Sequence, residues 1–286
     1  MLIREAAAKG GGELKAAGIE NPGLDASLLL AHVLGTNRAS LTAMGSDPLS
    51  DEAFTAFCDL IDRRKNGECA AYIIGKKEFW NLEFLVNPSV LVPRPDTETL
   101  VEAVLAQLKA KNEKAGPRLL RALDLCTGSG AVAISLKHEM PQAEVTAADI
   151  SASALETAKA NAERLLPRGA INFYLSDLFD ALPRAAFSVI VCNPPYIPTE
   201  QIHTLSREVR KEPRIALDGG KSGLVVIERV ISGAPDYLQR GGALLLEADP
   251  RQMEDISLLL EKNGFTGINI YRDLSGQKRV IGGNYE

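Results

Sequence analysis

The chain has 286 residues, 45% hydrophobic and 24% charged, a balance that suits two modest globular domains with a core in each. Its formal net charge of −5 argues against a non-specific nucleic-acid binder, which would show a basic surplus or stripe. The four cysteines and three histidines stand scattered without metal-ligand spacing, so no metal is expected, and reduced thiols point to the cytoplasm.

Residues 1–12 show no signal-peptide pattern, and no apolar run approaches the ~20 residues of a membrane span. The first 75 residues read as helices. Asn21-Pro22 marks one helix start, with Leu24, Leu28, Leu29, His32 and Val33 on its apolar face up to Gly35. His32 on that stripe is read as a core or boundary histidine rather than a ligand. Ser50-Asp51-Glu52 opens another helix, with Phe54, Phe57, Leu60 and Ile61 inside. It ends at Arg63-Arg64-Lys65, read as a solvated turn compensating the helix dipole. Residues 1–75 are expected to form a helical domain. Residues 76–93, with Phe79, Trp80, Phe84 and Val86 among Asn81, Asn87 and Pro88, read as a β-hairpin or extended linker, whose single tryptophan pins it to one domain or, less simply, contacts a substrate.

Residues 94–286 then alternate strand and helix. Strands are expected at 119–123, 144–148, 171–175, 188–191, 243–246, 267–271 and 278–281, and helices at 131–138, 152–165, 223–238 and 251–262. Continuous apolar strands separated by helices imply an α/β, Rossmann-like, mostly parallel sheet covered on both faces. The last two strands are joined by too short a link for a helical crossover, so they pair antiparallel or not at all.

The first strand runs into Asp124, Leu125, Cys126, Thr127, Gly128, Ser129 and Gly130, and then opens a helix. Glycines there allow close backbone approach to a ligand, and the helix start offers unpaired N–H groups. With Ala133 the loop also satisfies the dinucleotide fingerprint, so a nicotinamide cofactor stands beside other adenosine cofactors, and a plain strand–helix turn remains a third reading. Asp149, ending the second strand, suits ribose hydroxyls. Asp177 and Leu178, after the third, suit an adenine amino group and ring face, or simply a polar strand end.

The fourth strand ends in Cys192-Asn193-Pro194-Pro195-Tyr196. Consecutive prolines stiffen the loop and remove N–H donors, leaving carbonyls exposed, and Asn193 adds a side-chain acceptor. Two acceptors held close together suit the grip of both hydrogens of a planar NH₂ group. Gripping them aims the nitrogen lone pair at a methyl donor without a strong general base. Tyr196 offers a face on which a flat amide or ring stacks.

Together, residues 124–130, Asp149 and Asn193 to Tyr196 resemble the amino-methyltransferases that act on DNA adenine or protein glutamine. Longer stretches are similar to the PrmC/HemK family: Ala71 to Gly75, Glu78-Phe79-Trp80, Val92 to Glu98, Ser176 to Phe179, Glu212-Pro213, Gly219-Gly220, Gly223-Leu224, Asp273-Leu274 and Arg279-Val280. The resemblance implies a class I methyltransferase fold, with residues 94–286 as the S-adenosylmethionine-dependent domain and 1–75 binding release factors. It implies methyl transfer to the N5 amide nitrogen of the glutamine in the Gly-Gly-Gln motif of class I peptide chain release factors, with S-adenosylhomocysteine as product. Carried over, Cys126, Thr127, Gly128, Ser129 and Gly130 cradle the methionine part of the cofactor, Asp149 holds ribose, and Asp177 and Leu178 lie by adenine. Asn193 touches both the cofactor region and the substrate; Asn193, Pro194 and Tyr196 serve the chemistry and, with Pro195, the glutamine pocket; Arg94 and Glu98 support the site, or Arg94 simply pairs with a carboxylate. The family usually has glycine in place of Cys126, proline near Cys69, and often an aromatic residue in place of Leu178. The nearest alternative is a nucleic-acid amino-methyltransferase acting on adenine N6 through the same motif. A dehydrogenase leaves Asn-Pro-Pro-Tyr unexplained, and an inert adaptor leaves Asp149 and Asn193 unexplained.

Overall fold

A computed structural model describes residues 1–115 and 119–286. They divide into two compact units, one of residues 1–76 with 206–211, the other of 77–205 with 212–286.

The first unit is helical: α1 Ile3–Ala16, α2 Pro22–Val33, α3 Arg38–Ala43, α4 Asp51–Lys65 and α5 Ala70–Ile74. Ser50 caps α4 by accepting from the Ala53 N–H at 3.2 Å, and Asn37 caps α3 in the same way. Helix α1 escapes the sequence reading because its glycine triplet lowers both propensity and periodicity. The structure uses Gly10 for contact: a Cβ there would lie 2.5 Å from Cζ of Phe57.

Two expectations for this unit are corrected. Helix α2 buries Asp25, Ala26, Leu29, Leu30 and Ala31, whereas Leu24 and His32 are exposed. Three consecutive leucines leave the phase of the apolar face open, and the ion pair of Asp25 with Arg64 sets it. Arg64 itself is not part of a solvated turn. It is buried, with Nε 2.7 Å from Asp25 and a terminal nitrogen 2.5 Å from Glu208, so its charge is matched inside the unit. Arg63 and Lys65 remain at the surface, paired with Glu68 and with Asp62 and Glu13.

In the second unit β1 Lys76–Phe79 and β2 Leu82–Leu85 form the expected hairpin. Trp80 and Asn81 have φ of 53° and 57°, the two left-handed residues that a type I′ turn requires. The Trp80 indole packs on the core of this unit and donates to Glu139 at 2.9 Å, while its backbone N–H donates to Glu98 at 2.9 Å. Helix α6 Glu98–Ala115, which the sequence reading left out, packs Leu100, Val101, Val104, Leu105 and Leu108 into that core.

The remaining elements are β3 Arg121–Leu125, α7 Ala131–Glu139, β4 Glu144–Asp149, α8 Ala152–Leu165, β5 Ile171–Leu175, β6 Phe187–Cys192, α9 Val225–Gly233, β7 Leu238–Glu247, α10 Met253–Lys262, β8 Phe265–Arg272 and β9 Lys278–Tyr285. The helix expected over 223–238 stops at Gly233 and tightens into a 3₁₀ turn, Ala234–Asp236, where Pro235 falls. The seven strands lie in the order β5-β4-β3-β6-β7-β9-β8, parallel from β5 to β7, with β9 antiparallel to both β7 and β8. Alternate residues of β6 serve the two faces: Val189 and Val191 join one core cluster, Ile190 and Cys192 the other. The chain runs outward from β3 in one direction to β4 and β5 and in the other to β6 and β7, which opens a crevice at the carboxyl ends of β3 and β6.

Candidate active site

The loop after β3 is held from below by Asp124. Its Oδ2 accepts from the Thr127 hydroxyl at 2.6 Å and from the Ala133 N–H at 3.1 Å. Burial raises the carboxyl to about 7, against these two donors and with a small further push from Asp149. From the neighbouring strand, Asp149 Oδ2 accepts from the Gly128 N–H at 2.8 Å and Oδ1 from the Ser151 N–H at 2.9 Å. Burial raises the Asp149 carboxyl as well, opposed by the backbone donors of Ser151, Gly128 and Ile150. Ser151 caps α8, as its position in the sequence suggests.

Cys126 has φ of +56°, in the left-handed region where glycine is the ordinary occupant. That is the physical reason for a glycine at this position, and cysteine holds the same turn at a cost of about 1 kcal/mol. Leu178, with φ of +50°, is the second such residue of the crevice; among the described residues the only other non-glycine cases are the hairpin-turn pair. At Gly128 a Cβ would meet nothing within 4 Å, so that backbone faces open space. Gly130 turns the other way, its Cβ position 2.9 Å from Ile134 and 3.2 Å from Ala158, and serves the packing of α7 and α8.

Two adjoining depressions share Cys126, Asp149, Ile150, Pro195 and Ile215. Cys126, Thr127, Gly128, Ser129, Asp149 and Asn193 line the first; Asp177 and Leu178, with Val226, line the second. Gly130, Pro194 and Tyr196 lie outside both linings. Asp177 is ion-paired with Arg229 at 3.0 Å, so the carboxylate expected at adenine already has a partner. Arg94 lines the first depression and pairs with Glu212, whose other oxygen accepts from the Val92 N–H at 3.1 Å. The carboxylate pairing expected for Arg94 is thus present, and it fixes residues 92–97, which lead into α6.

Asn193 follows β6 directly, and its Nδ2 donates to the Thr97 hydroxyl at 3.2 Å. Pro194 and Pro195 are buried, and Tyr196 is half-buried against the core. Burial pushes the Tyr196 phenol up, so it stays neutral. Its carbonyl accepts from Gln252 at 3.0 Å. The glycines singled out in the sequence close over this loop: a Cβ at Gly219 would lie 2.8 Å from the Pro195 carbonyl oxygen, and one at Gly223 would collide with that of Tyr196. Glu247, at the end of β7, is absent from the sequence reading although it is buried directly beside Asn193. The one available signal was a carboxylate closing the apolar run Ala243 to Leu246.

The groups fit an adenosine-containing cofactor. An acidic side chain stands at a strand end, an open glycine backbone lies beside it, and an apolar wall of Leu178 and Val226 borders the second depression. The PrmC N-terminal domain family matches residues 5–75, and the methyltransferase small domain family matches 101–220. The chain is 40% identical over 266 residues to the release factor glutamine methyltransferase of Salmonella typhimurium, covering 93% of each chain. It is 43% identical to that of Bordetella pertussis, covering 92% and 94%, and 38% identical to that of Escherichia coli K12, covering 93% of each. Among solved structures, the hMettl16 catalytic domain superposes with a TM-score of 0.57 at 16% identity, over 80% of this chain and 81% of that one. A Pyrococcus furiosus methyltransferase does so at 0.52 and 18%, over 73% and 91%. Likeness at that level shows the fold alone, and the fold is that of the class I methyltransferases.

Proposed function

The chain belongs to the release factor glutamine methyltransferase family, and from that premise we propose that it methylates the N5 amide nitrogen of the Gly-Gly-Gln glutamine in class I peptide chain release factors. S-adenosylmethionine, when bound, supplies an electrophilic methyl on a sulfonium. The observation that supports the reading is the placement of Asn193, which borders the same depression as the Cys126–Ser129 loop and Asp149. Asp149 receives the ribose hydroxyls while it continues to hold Gly128, since a carboxylate has lone pairs for both. Leu178 packs beside the adenine, and Asp177 takes its amino group while keeping Arg229.

An amide nitrogen is a weak nucleophile because its lone pair is delocalised into the carbonyl. Asn193 Oδ1 and the Pro194 carbonyl accept its two hydrogens and hold the nitrogen with its lone pair toward the methyl. The two prolines keep those acceptors from relaxing away, and Tyr196, neutral and packed against the core, anchors the loop that carries them. The proton leaves after the nitrogen has become cationic, so no strong base is needed. The helical unit, residues 1–75, binds the body of the partner, and the protein works in the cytoplasm. Substitutions on the exposed face of that unit then raise KM for whole release factor and not for a short Gly-Gly-Gln peptide. The likeness to hMettl16 is one of fold and brings no nucleic-acid substrate with it.

The direct test is transfer of labelled methyl from S-adenosylmethionine to purified release factor, against a variant with the motif glutamine replaced by alanine. Label on the intact factor alone supports the reading. Label on both, or on neither, removes the glutamine as acceptor.

A further inference from the structure

Glu247 ends β7, and the pairing of Leu246 with Cys192 sets it beside Asn193. It is 2% exposed, and its Oε2 has no hydrogen-bond partner among the described residues. A carboxylate in such a place is costly, and burial pushes this one up to about 7. The Thr97 hydroxyl and the Asn193 amide lie beside it and favour the ionised form. Arg279 of β9 also favours it, Asp96 of the turn before α6 opposes it, and the Tyr196 hydroxyl faces it from the loop after β6.

We infer that Glu247 is a positioning residue that decides which end of the Asn193 amide faces the acceptor nitrogen. This rests on the glutamine reading above. Nδ2 of Asn193 carries two hydrogens, of which one goes to Thr97 Oγ1 at 3.2 Å. Thr97 alone leaves the orientation open, because a hydroxyl donates or accepts equally well. An ionised Glu247 only accepts. It takes the Thr97 hydroxyl hydrogen, which leaves Thr97 as an acceptor for Nδ2, and it offers Oε2 to the second Nδ2 hydrogen. Both donors of Asn193 then face inward, and Oδ1 is free to accept from the substrate amide. A protonated Glu247 donates instead, and the flipped amide would set N–H against N–H. Glu247 thus acts through Asn193 and touches neither methyl donor nor acceptor.

The experiment is a pH–rate profile of the full-length enzyme on release factor with S-adenosylmethionine, for wild type and Glu247→Gln. For wild type kcat rises with pH to a plateau, with its midpoint near 7. For Glu247→Gln kcat at pH 8 falls roughly ten- to hundredfold, the limb assigned to residue 247 is lost, and KM for S-adenosylmethionine stays within about twofold. Because a structural defect would also slow the enzyme, Glu247→Gln is also combined with Asn193→Ala. If Glu247 works through Asn193, Glu247→Gln costs nothing further in that background. An unchanged acidic limb in Glu247→Gln, or losses that add in the double variant, overturns the assignment. Wild-type enzyme that leaves release factor unlabelled at every pH overturns the substrate reading and this assignment with it.

Discussion

Asp149→Ala separates two duties of one carboxylate. The side chain accepts from Gly128 N–H at 2.8 Å and from Ser151 N–H at 2.9 Å, so its removal leaves two backbone donors near the start of two helices. A hydrogen bond to a charged acceptor contributes about 1.5–3 kcal/mol when buried. Water reaches this loop, which borders the open crevice, so a net loss of about 1–2 kcal/mol is expected, or a fall in Tm of roughly 2–6 °C. Binding suffers more. Two hydrogen bonds to ribose hydroxyls at about 1.5 kcal/mol each give about 3 kcal/mol, a weakening of roughly 100-fold in Kd. Titration calorimetry with S-adenosylhomocysteine reads that number directly, and kcat at saturating S-adenosylmethionine should stay within severalfold of wild type. A variant that binds the product within threefold of wild type would refute the ribose assignment, whatever its melting temperature.

Asn193→Ala should give the opposite pattern, with kcat reduced about 10²- to 10³-fold and product affinity changed less than threefold, read by single-turnover kinetics and calorimetry. In the helical unit Arg64→Ala leaves the Asp25 and Glu208 carboxylates without their cation and should cost about 3–5 kcal/mol in denaturant unfolding. Arg63→Ala, one turn-end neighbour away and about half exposed, should change stability by less than about 1 kcal/mol. Glu247 also couples stability to pH. Its folded value of about 7 exceeds the ordinary 4.5, so the protonated group suits the fold below 4.5, and that advantage is lost as pH rises through 7. Glu247→Gln should therefore melt above wild type at pH 8, by an amount on the order of 3 kcal/mol before lost hydrogen bonds are subtracted, and the gap should close as pH falls toward 4.5. A gap that widens on acidification would reverse the sign of this reasoning.

The sequence alone determined the strand–helix alternation of residues 119–286, the antiparallel last pair, the hairpin after the helical region and the loops that border the candidate site. Each of these is local: a period of two or 3.6, a glycine after a strand, or a link too short for a crossover. What tertiary structure decided is non-local. The phase of α2 follows from Arg64, 39 residues away from Asp25, and no local pattern contains that ion pair. In helix α1 the glycine at position 10 answers to Phe57, whose ring fills the space a Cβ would take. β9 inserts between β7 and β8, an order that a hairpin pattern leaves undetermined. At the candidate site, motif spacing placed Asn193 and Asp149 at strand ends but could not show that Pro194 and Tyr196 fall outside the linings of the two depressions, or that Arg229 holds Asp177. Least legible was Glu247, because a carboxylate after an apolar run reads as a strand end in water. Only the register of β7 against β6 buries it beside Asn193, and burial is what gives it a proton affinity near neutrality.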